Sequence, residues 1–321
     1  MAELNIQKIS SFDSPELRPY ATMKRPLEHE RQGIFVAEGV KVVRRLLESR
    51  FTVASVVLPE KWLDEFRPLI EARPEQITVY LAEKKFLEGL VGFSMFQGVL
   101  AVGKIPPRVS LDDILRVSSR PRLFTAVDAL TNAENLGALV RNCVAFGVQA
   151  LLVGETSSSP FLRRAVRNSM GAIFQLPVIE LGRDALPRVL ADRQVGPTQS
   201  KIPPTLAQTL RELRARGVRC VAAHPHAESW NSSFSLPSTA STPPHDKLKL
   251  ELQHKTIFRT DFSDDCCVVF GSEGYGLSAP VLEACDEAVA IPMSPAVDSL
   301  NVGAAAAVFL YEINRQREKM G

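Results

Sequence analysis

Three segments of the chain combine amide, carboxylate, guanidinium and glycine at spacings that suit ligand chemistry. The first, Asp128-Ala-Leu-Thr-Asn-Ala-Glu-Asn-Leu-Gly-Ala-Leu-Val-Arg-Asn142, follows an apolar strand pattern and opens a helical one. Leu136, Leu139, Val140, Cys143 and Val144 fall at i, i+3, i+4, i+7 and i+8, one buried stripe. Arg141 lies about 140° from Leu136 when each residue turns roughly 100°. Asn135 stands where a helix N-cap would be, and a solvated Arg141 is the plain alternative to a working one. Against the plain reading stands the location, because the carboxyl end of a parallel strand is where α/β proteins hold ligands. The second segment, Val268-Val-Phe-Gly-Ser-Glu-Gly-Tyr-Gly-Leu-Ser278, sets Glu273 among Gly271, Gly274 and Gly276 directly after a fully apolar strand. Such a loop lets a ligand approach the main chain, yet it lacks the Lys-Ser/Thr of a P-loop and does not read GxGxxG. The third, Ala290-Ile-Pro-Met-Ser-Pro-Ala-Val-Asp-Ser-Leu-Asn301, precedes an Ala-rich helix that Ser299 or Asn301 can cap. A fourth stretch, Phe161–Gly171, puts Arg163, Arg164 and Arg167 opposite a buried face of Leu162, Ala165 and Val166. With Lys24, Arg25, Arg31, Arg44 and Arg45 these make two basic groups, which either hold phosphates or are merely solvated.

The elements that must position these residues alternate. Up to about Val102 the pattern is a small α/β unit, with strands at Phe35–Ala37, Val53–Leu58, Ile77–Leu81 and Gln97–Gly103 and an amphipathic helix over Glu38–Ser49. Residues 1–14 read as a loose leader. Lys104-Ile-Pro-Pro-Arg108 interrupts the pattern, since two consecutive prolines remove donors and force extended backbone. Domains are therefore expected over 1–105 and 120–321, with a linker at 106–119. In the second domain, strands at Leu123–Val127, Ala150–Val153, Arg219–Ala223, Cys266–Phe270 and Ala288–Ile291 alternate with helices at Asn135–Phe146, Leu162–Met170 and about Leu300–Arg315. That order implies a mostly parallel sheet covered on both faces. A Ser/Thr/Pro/His-rich stretch near 230–256 reads as a flexible insertion, and Ala191–Pro204 as a second.

The 321 residues, 45% apolar and 23% charged, are enough for two cores. No apolar run approaches the roughly 18 residues of a membrane helix, and the first 30 residues lack a signal-peptide pattern. Cys143, Cys220, Cys266, Cys267 and Cys285 form neither CxxC nor a Cys/His cluster, so neither a disulfide framework nor a metal site is expected, and a reduced, cytoplasmic setting is. A net charge of +2 decides nothing about nucleic acid.

The three segments together resemble the SpoU family of RNA ribose methyltransferases, in the SPOUT superfamily. Asn135, Gly137 and Arg141 match its N-x-G-x-x-x-R pattern, Gly271 to Leu277 its G-S-E-G-x-G-L, and Ile291–Met293 with Ser299–Val302 its I-P-M and S-L-N-V. More faintly, Phe35-Val-Ala-Glu-Gly-Val-Lys-Val-Val and Phe96-Gln-Gly-Val-Leu-Ala-Val look like the opening and end of the family's substrate-binding domain, a ribosomal-protein-like RNA-binding fold. The chain departs from the family at Phe96, usually His, at Gly303, often Ser, and in the long insertion.

The resemblance implies an α/β protein whose parallel-sheet SPOUT domain ends in a deep trefoil knot. It implies S-adenosylmethionine as cofactor, held bent among Gly271, Gly276, Ile291, Met293 and Leu300, and a homodimer with the site at its interface. No metal and no membrane are implied. The reaction is transfer of a methyl group from a sulfonium to a ribose 2′-hydroxyl of structured RNA, with ribosomal RNA preferred over transfer RNA. By the same resemblance Arg141 contacts the ribose hydroxyl and is the base. An arginine pKa of about 12.5 or higher makes neutral arginine scarce at pH 7, so stabilisation of the forming alkoxide by Arg141, with a phosphate or water taking the proton, is equally physical. Asn135, Ser299 and Asn301 orient the ribose and Arg141, Glu273 braces that group, and Arg163, Arg164, Arg167, Lys24 and Arg25 hold RNA. The alternatives are a non-catalytic RNA-binding protein of the same fold, a SPOUT base methyltransferase, and a nucleotide-binding or redox α/β enzyme, the last disfavoured by the missing fingerprints.

Overall fold

The computed structural model describes residues 5–9, 11, 14–94, 97–182, 204–224 and 254–318. Residues 230–253 of the expected insertion, most of the second insertion and Phe96 lie outside them. The described residues fall into two compact units. One gathers the chain up to Pro107 with Ser159–Gln175; the other holds Arg108–Ser158, 176–182 and the residues from 204 onward.

The first unit is built on a mixed sheet of β1 (Asn5–Lys8), β2 (Ile34–Glu38), β3 (Val53–Leu58), β4 (Thr78–Leu81) and β5 (Leu100–Lys104), in the order β1-β4-β3-β5-β2. β1, β3 and β4 run parallel, and β5 is antiparallel to β3 and β2. β1 corrects the expectation of a loose leader. Its residues are mostly exposed, so it carries no apolar alternation, and only pairing to β4 makes it a strand. The helix Val40–Leu47 buries Val40, Val42, Val43, Leu46 and Leu47 and turns its arginines outward. Ser159–Gln175, expected inside the carboxy-terminal domain, groups with this unit through aromatic packing. Phe35 has ring centroids 5.8 Å from Phe161, 5.6 Å from Phe174 and 6.0 Å from Phe51. A Cβ on Gly103 would come within 2.4 Å of the Phe35 ring, so glycine there is what admits it.

The second unit is a seven-stranded, wholly parallel sheet: β6 (Leu123–Val127), β7 (Ala150–Val153), β8 (Val178–Glu180), β9 (Arg219–Ala223), β10 (His254–Thr256), β11 (Cys266–Phe270) and β12 (Glu287–Ala290), in the order β10-β12-β9-β11-β6-β7-β8. β6, β7 and β11 are buried at every residue, as a parallel sheet covered on both faces requires. β10 occupies the last three residues of the expected insertion. Leu111–Val117, inside the expected linker, is a helix whose Ile114 and Leu115 join the core of this unit. The final helix, Val302–Glu318, buries Val302, Gly303, Ala306, Phe309, Leu310 and Ile313. Its far end is pinned by Arg317, which donates to the carbonyls of Pro121, Arg122, Phe262 and Asp264. Among the described residues no helix is long and apolar enough to cross a membrane and no cluster of side chains is suited to a metal ion. All five cysteines are buried free thiols.

Candidate active site

The strand order of the second sheet reverses between two neighbours. β6 continues to β7 on one side, whereas β11 continues to β12 on the other. Such a switch point opens a crevice at the carboxyl ends of the strands, the usual ligand position in open α/β sheets. The helix Ala133–Ala145 follows β6, the glycine-rich loop follows β11, and the 291–301 segment follows β12, so all three chemistry-bearing segments leave from that edge.

The helix after β6 begins earlier than its apolar stripe suggests. Asn132, and not Asn135, is the N-cap: its Oδ1 accepts from the main-chain N–H of Glu134 (2.8 Å) and of Asn135 (3.1 Å). With the cap filled by Asn132, the Asn135 amide is free to act across the fold. The glycine-rich loop is equally fixed. Ser272 and Gly276 exchange both main-chain hydrogen bonds, at 3.0 and 2.9 Å, and Gly276 takes φ +66°. A Cβ on Gly271 would meet the Gly276 carbonyl carbon at 2.2 Å, so the turn closes only over a glycine. Asp128, 4% exposed, anchors the loop's end by accepting from the N–H of Ser278 at 2.7 Å, while its own N–H donates to the Phe270 carbonyl at 2.9 Å. The next residue, Ala129, is held at φ +53°, a conformation a non-glycine residue keeps only where its surroundings enforce it. Sequence reasoning assigned no role to Asp128 or Asn132.

Asn135, Glu273 and Asn301 meet. Asn135 Nδ2 donates to Glu273 Oε1, and Asn301 Nδ2 donates to Asn135 Oδ1 at 3.0 Å and to Glu273 Oε1 at 3.4 Å. Asn301 Oδ1 accepts from the Gly303 N–H at 2.9 Å, which makes Asn301 the cap of the final helix. An ionised carboxylate only accepts, so Glu273 fixes which way both amides face. The final helix lies close against the first: Asn142 Nδ2 donates to the Gly303 carbonyl at 2.6 Å, and a Cβ on Gly303 would stand 3.2 Å from that of Ala138.

Arg141 is not in this network. Six residues after Asn135, it lies about 120° round the helix. It is exposed, and among the described residues its guanidinium has no partner. Ser299 is exposed beside the cap. Gly271, Gly276, Ile291 and Met293 are partly exposed and Leu300 is 37% exposed, in a segment that holds neither helix nor strand from 291 to 301. Burial pushes the Cys143 thiol up to about 12 and the Cys266 thiol up to about 11, which makes these two poor nucleophiles.

The basic residues separate. Arg163 and Arg167 both pair with Glu38, which is 6% exposed; the Arg167 contact is 2.8 Å. The helix Arg163–Asn168 thus turns two of its three arginines onto a buried carboxylate, a pairing that neither the phosphate-holding nor the solvated alternative anticipates, and Arg167 keeps 54% of its side chain exposed. Arg164 remains exposed, with no partner among the described residues. Arg163 also stacks over Phe93 at 4.8 Å, and Lys24, exposed like Arg25, lies 5.9 Å from the same ring. The ring is a feature that the spacing of charges alone did not signal.

Comparison with known proteins agrees with this architecture. The chain is 29% identical over 322 residues to an uncharacterized tRNA/rRNA methyltransferase of Mycobacterium bovis, covering 99% of this chain and 95% of the relative. It is 27% identical over 286 residues to the 23S rRNA (guanosine-2′-O-)-methyltransferase RlmB of Vibrio vulnificus, covering 87% and 96%. Among solved structures it superposes on the SpoU methyltransferase AviRb of Streptomyces viridochromogenes with a TM-score of 0.70, at 21% identity over 96% of this chain and 99% of that one. With the AdoMet-bound rRNA methyltransferase of Sinorhizobium meliloti the TM-score is 0.71, at 18% identity over 97% and 98%. The model of the SpoU rRNA methylase family matches residues 122–196 and 197–311, more than half of the chain. The chain belongs to the SpoU rRNA methylase family.

Proposed function

We propose that the protein transfers a methyl group from S-adenosylmethionine to a ribose 2′-hydroxyl of structured RNA, ribosomal RNA ahead of transfer RNA. The observation that carries this reading is the convergence of Asn135, Glu273 and Asn301, one from each motif, at the switch point of the parallel sheet. The named activity of the Vibrio vulnificus relative points the same way.

The residues present fit the cofactor. Ile291, Met293 and Leu300 offer partly exposed apolar side chains, and the main chain of 291–300 lies outside any strand ladder, which suits an adenosyl group bound through the backbone, while Gly271 and Gly276 let the adjoining turn close beside it. S-adenosylmethionine supplies a methyl group carried on a sulfonium. The chain's own residues then have three tasks. Glu273 holds the two amides in one orientation and keeps Oε2 free to accept, no partner for that atom standing among the described residues. Asn135, Asn301 and Ser299 orient the ribose. Arg141 donates to the 2′-oxygen as negative charge develops there, while a substrate phosphate or water takes the proton. Since Arg141 points away from its own Asn135, it serves the site of a second copy in a homodimer. Supporting this, Ala304, Val308 and Tyr311 form an exposed apolar stripe on the final helix, at i, i+4 and i+7. In the same reading the carboxy-terminal segment threads a trefoil knot, and the first unit binds RNA through Arg164, Lys24 and Arg25, with Arg163 and Arg167 shaping that surface through Glu38.

Incubation with methyl-labelled S-adenosylmethionine and total RNA, followed by digestion to nucleosides, tests the proposal. The expected product is a 2′-O-methylated nucleoside. A methylated base indicates the base-modifying alternative, and RNA binding without transfer indicates the non-catalytic one.

A further inference from the structure

We infer that Tyr275 is the platform on which a base of the substrate RNA stacks next to the methylated ribose, an inference that rests on the RNA reading of the site. Tyr275 is 98% exposed, at the tip of the turn that carries Glu273. An aromatic ring normally buries much of its surface, and here it buries almost none.

The ring's base is nonetheless rigid. Its own N–H donates to Ser272 Oγ at 3.2 Å, and the Ser272–Gly276 pair closes the turn on either side of it. Glu273 ties the same turn to Asn135 and Asn301. Gly274, between Tyr275 and Glu273, has no atom beyond its chain neighbours within 4 Å of where a Cβ would stand, so none of the described residues crowds the turn at that point. Consecutive Cα atoms are about 3.8 Å apart, which places the Tyr275 Cα within about 7.6 Å of that of Glu273. A ring anchored within two residues of the carboxylate that braces Asn135 and Asn301 presents an open π-face beside the amides that orient the ribose. Stacking accepts any base, since each has a π-face, so Tyr275 contributes affinity and alignment and does not select the nucleotide.

Stacking and phosphate contacts differ in their response to salt, and this separates Tyr275 from the arginines. RNA affinity of the full-length protein is measured against salt concentration for wild type, Tyr275→Ala, Tyr275→Phe and Tyr275→Trp, alongside S-adenosylmethionine affinity, KM and kcat for RNA, and oligomeric state. Tyr275→Ala is expected to weaken RNA binding and raise KM by about 10- to 100-fold with the salt slope unchanged. Cofactor affinity and oligomeric state stay as in wild type, and Phe and Trp restore RNA affinity to within about threefold because the ring and not the hydroxyl is used. Unchanged RNA affinity in Tyr275→Ala overturns the inference, as does a loss accompanied by dissociation of the oligomer, which marks the ring as a subunit contact. Wild type that binds RNA without methylating it refutes the enzymatic reading and leaves the stacking measurement standing by itself.

Discussion

Glu38 and Glu273 are both carboxylates gripped by two side chains distant in sequence, and they do opposite work. Glu38 is 6% exposed and its partners are the guanidiniums of Arg163 and Arg167. Glu273 is exposed and its partners are the neutral amides of Asn135 and Asn301. A buried carboxylate matched by charge is a clamp: its value lies in not being broken, because an unmatched charge left inside is costly. An exposed carboxylate held by amides through one oxygen leaves the other for something else. Accessibility and the charge of the partner, more than the number of hydrogen bonds, separate a fastening from a site.

The largest effect should come from the clamp. Glu38→Ala leaves Arg163, whose side chain is 15% exposed, without its counter-charge and should cost about 3–5 kcal/mol in urea unfolding. Glu273→Gln should shift stability by no more than about 0.5 kcal/mol while methyl transfer falls sharply. Equal destabilisation by the two would erase the distinction. Next comes Arg141→Ala, expected to lower the rate of transfer about 100- to 1000-fold with S-adenosylmethionine affinity intact by calorimetry. Full activity of the folded variant removes Arg141 from the reaction. Asp128→Ala should cost about 1.5–3 kcal/mol through loss of the charged acceptor for Ser278, and cofactor affinity should weaken as the loop loosens. The smallest effect sharpens the reading of the arginines. Arg164→Ala should leave stability unchanged and reduce the slope of log affinity against log salt by about 1, one phosphate contact. An unchanged slope excludes Arg164 from the RNA surface.

Much of the second unit is legible in the sequence. Cys266–Phe270 is a short uninterrupted apolar run and Leu123–Val127 is broken only by Thr125, a pattern that central strands of a parallel sheet carry. The three motifs are legible because each stands next to such a strand. What escapes is what long-range pairing decides. Arg163 looks solvated until Glu38, 125 residues away, is placed against it. β10 pairs with β12 from within a polar stretch, so its residues carry no strand pattern of their own. The cap of the first site helix moves from Asn135 to Asn132 because four residues of amide-rich sequence offer both, and only the helix start chooses. By contrast, the helix Leu111–Val117 had a local signal: Ser110 Oγ accepts from the N–H of Asp113 at 3.1 Å, the Ser-x-x-Asp arrangement that marks a helix start, and the neighbouring prolines masked it.

An active site shared between two copies is tested most directly by complementation. Arg141→Ala and Glu273→Ala chains, each inactive alone, are coexpressed with different tags, and hetero-oligomers are isolated and assayed for 2′-O-methyl transfer. With Arg141 serving the partner's Asn135–Glu273–Asn301 cluster, a two-fold mixed dimer keeps one intact site, and activity should return to about half that of wild type. Isolated mixed dimers that remain as inactive as either parent would contradict the shared site.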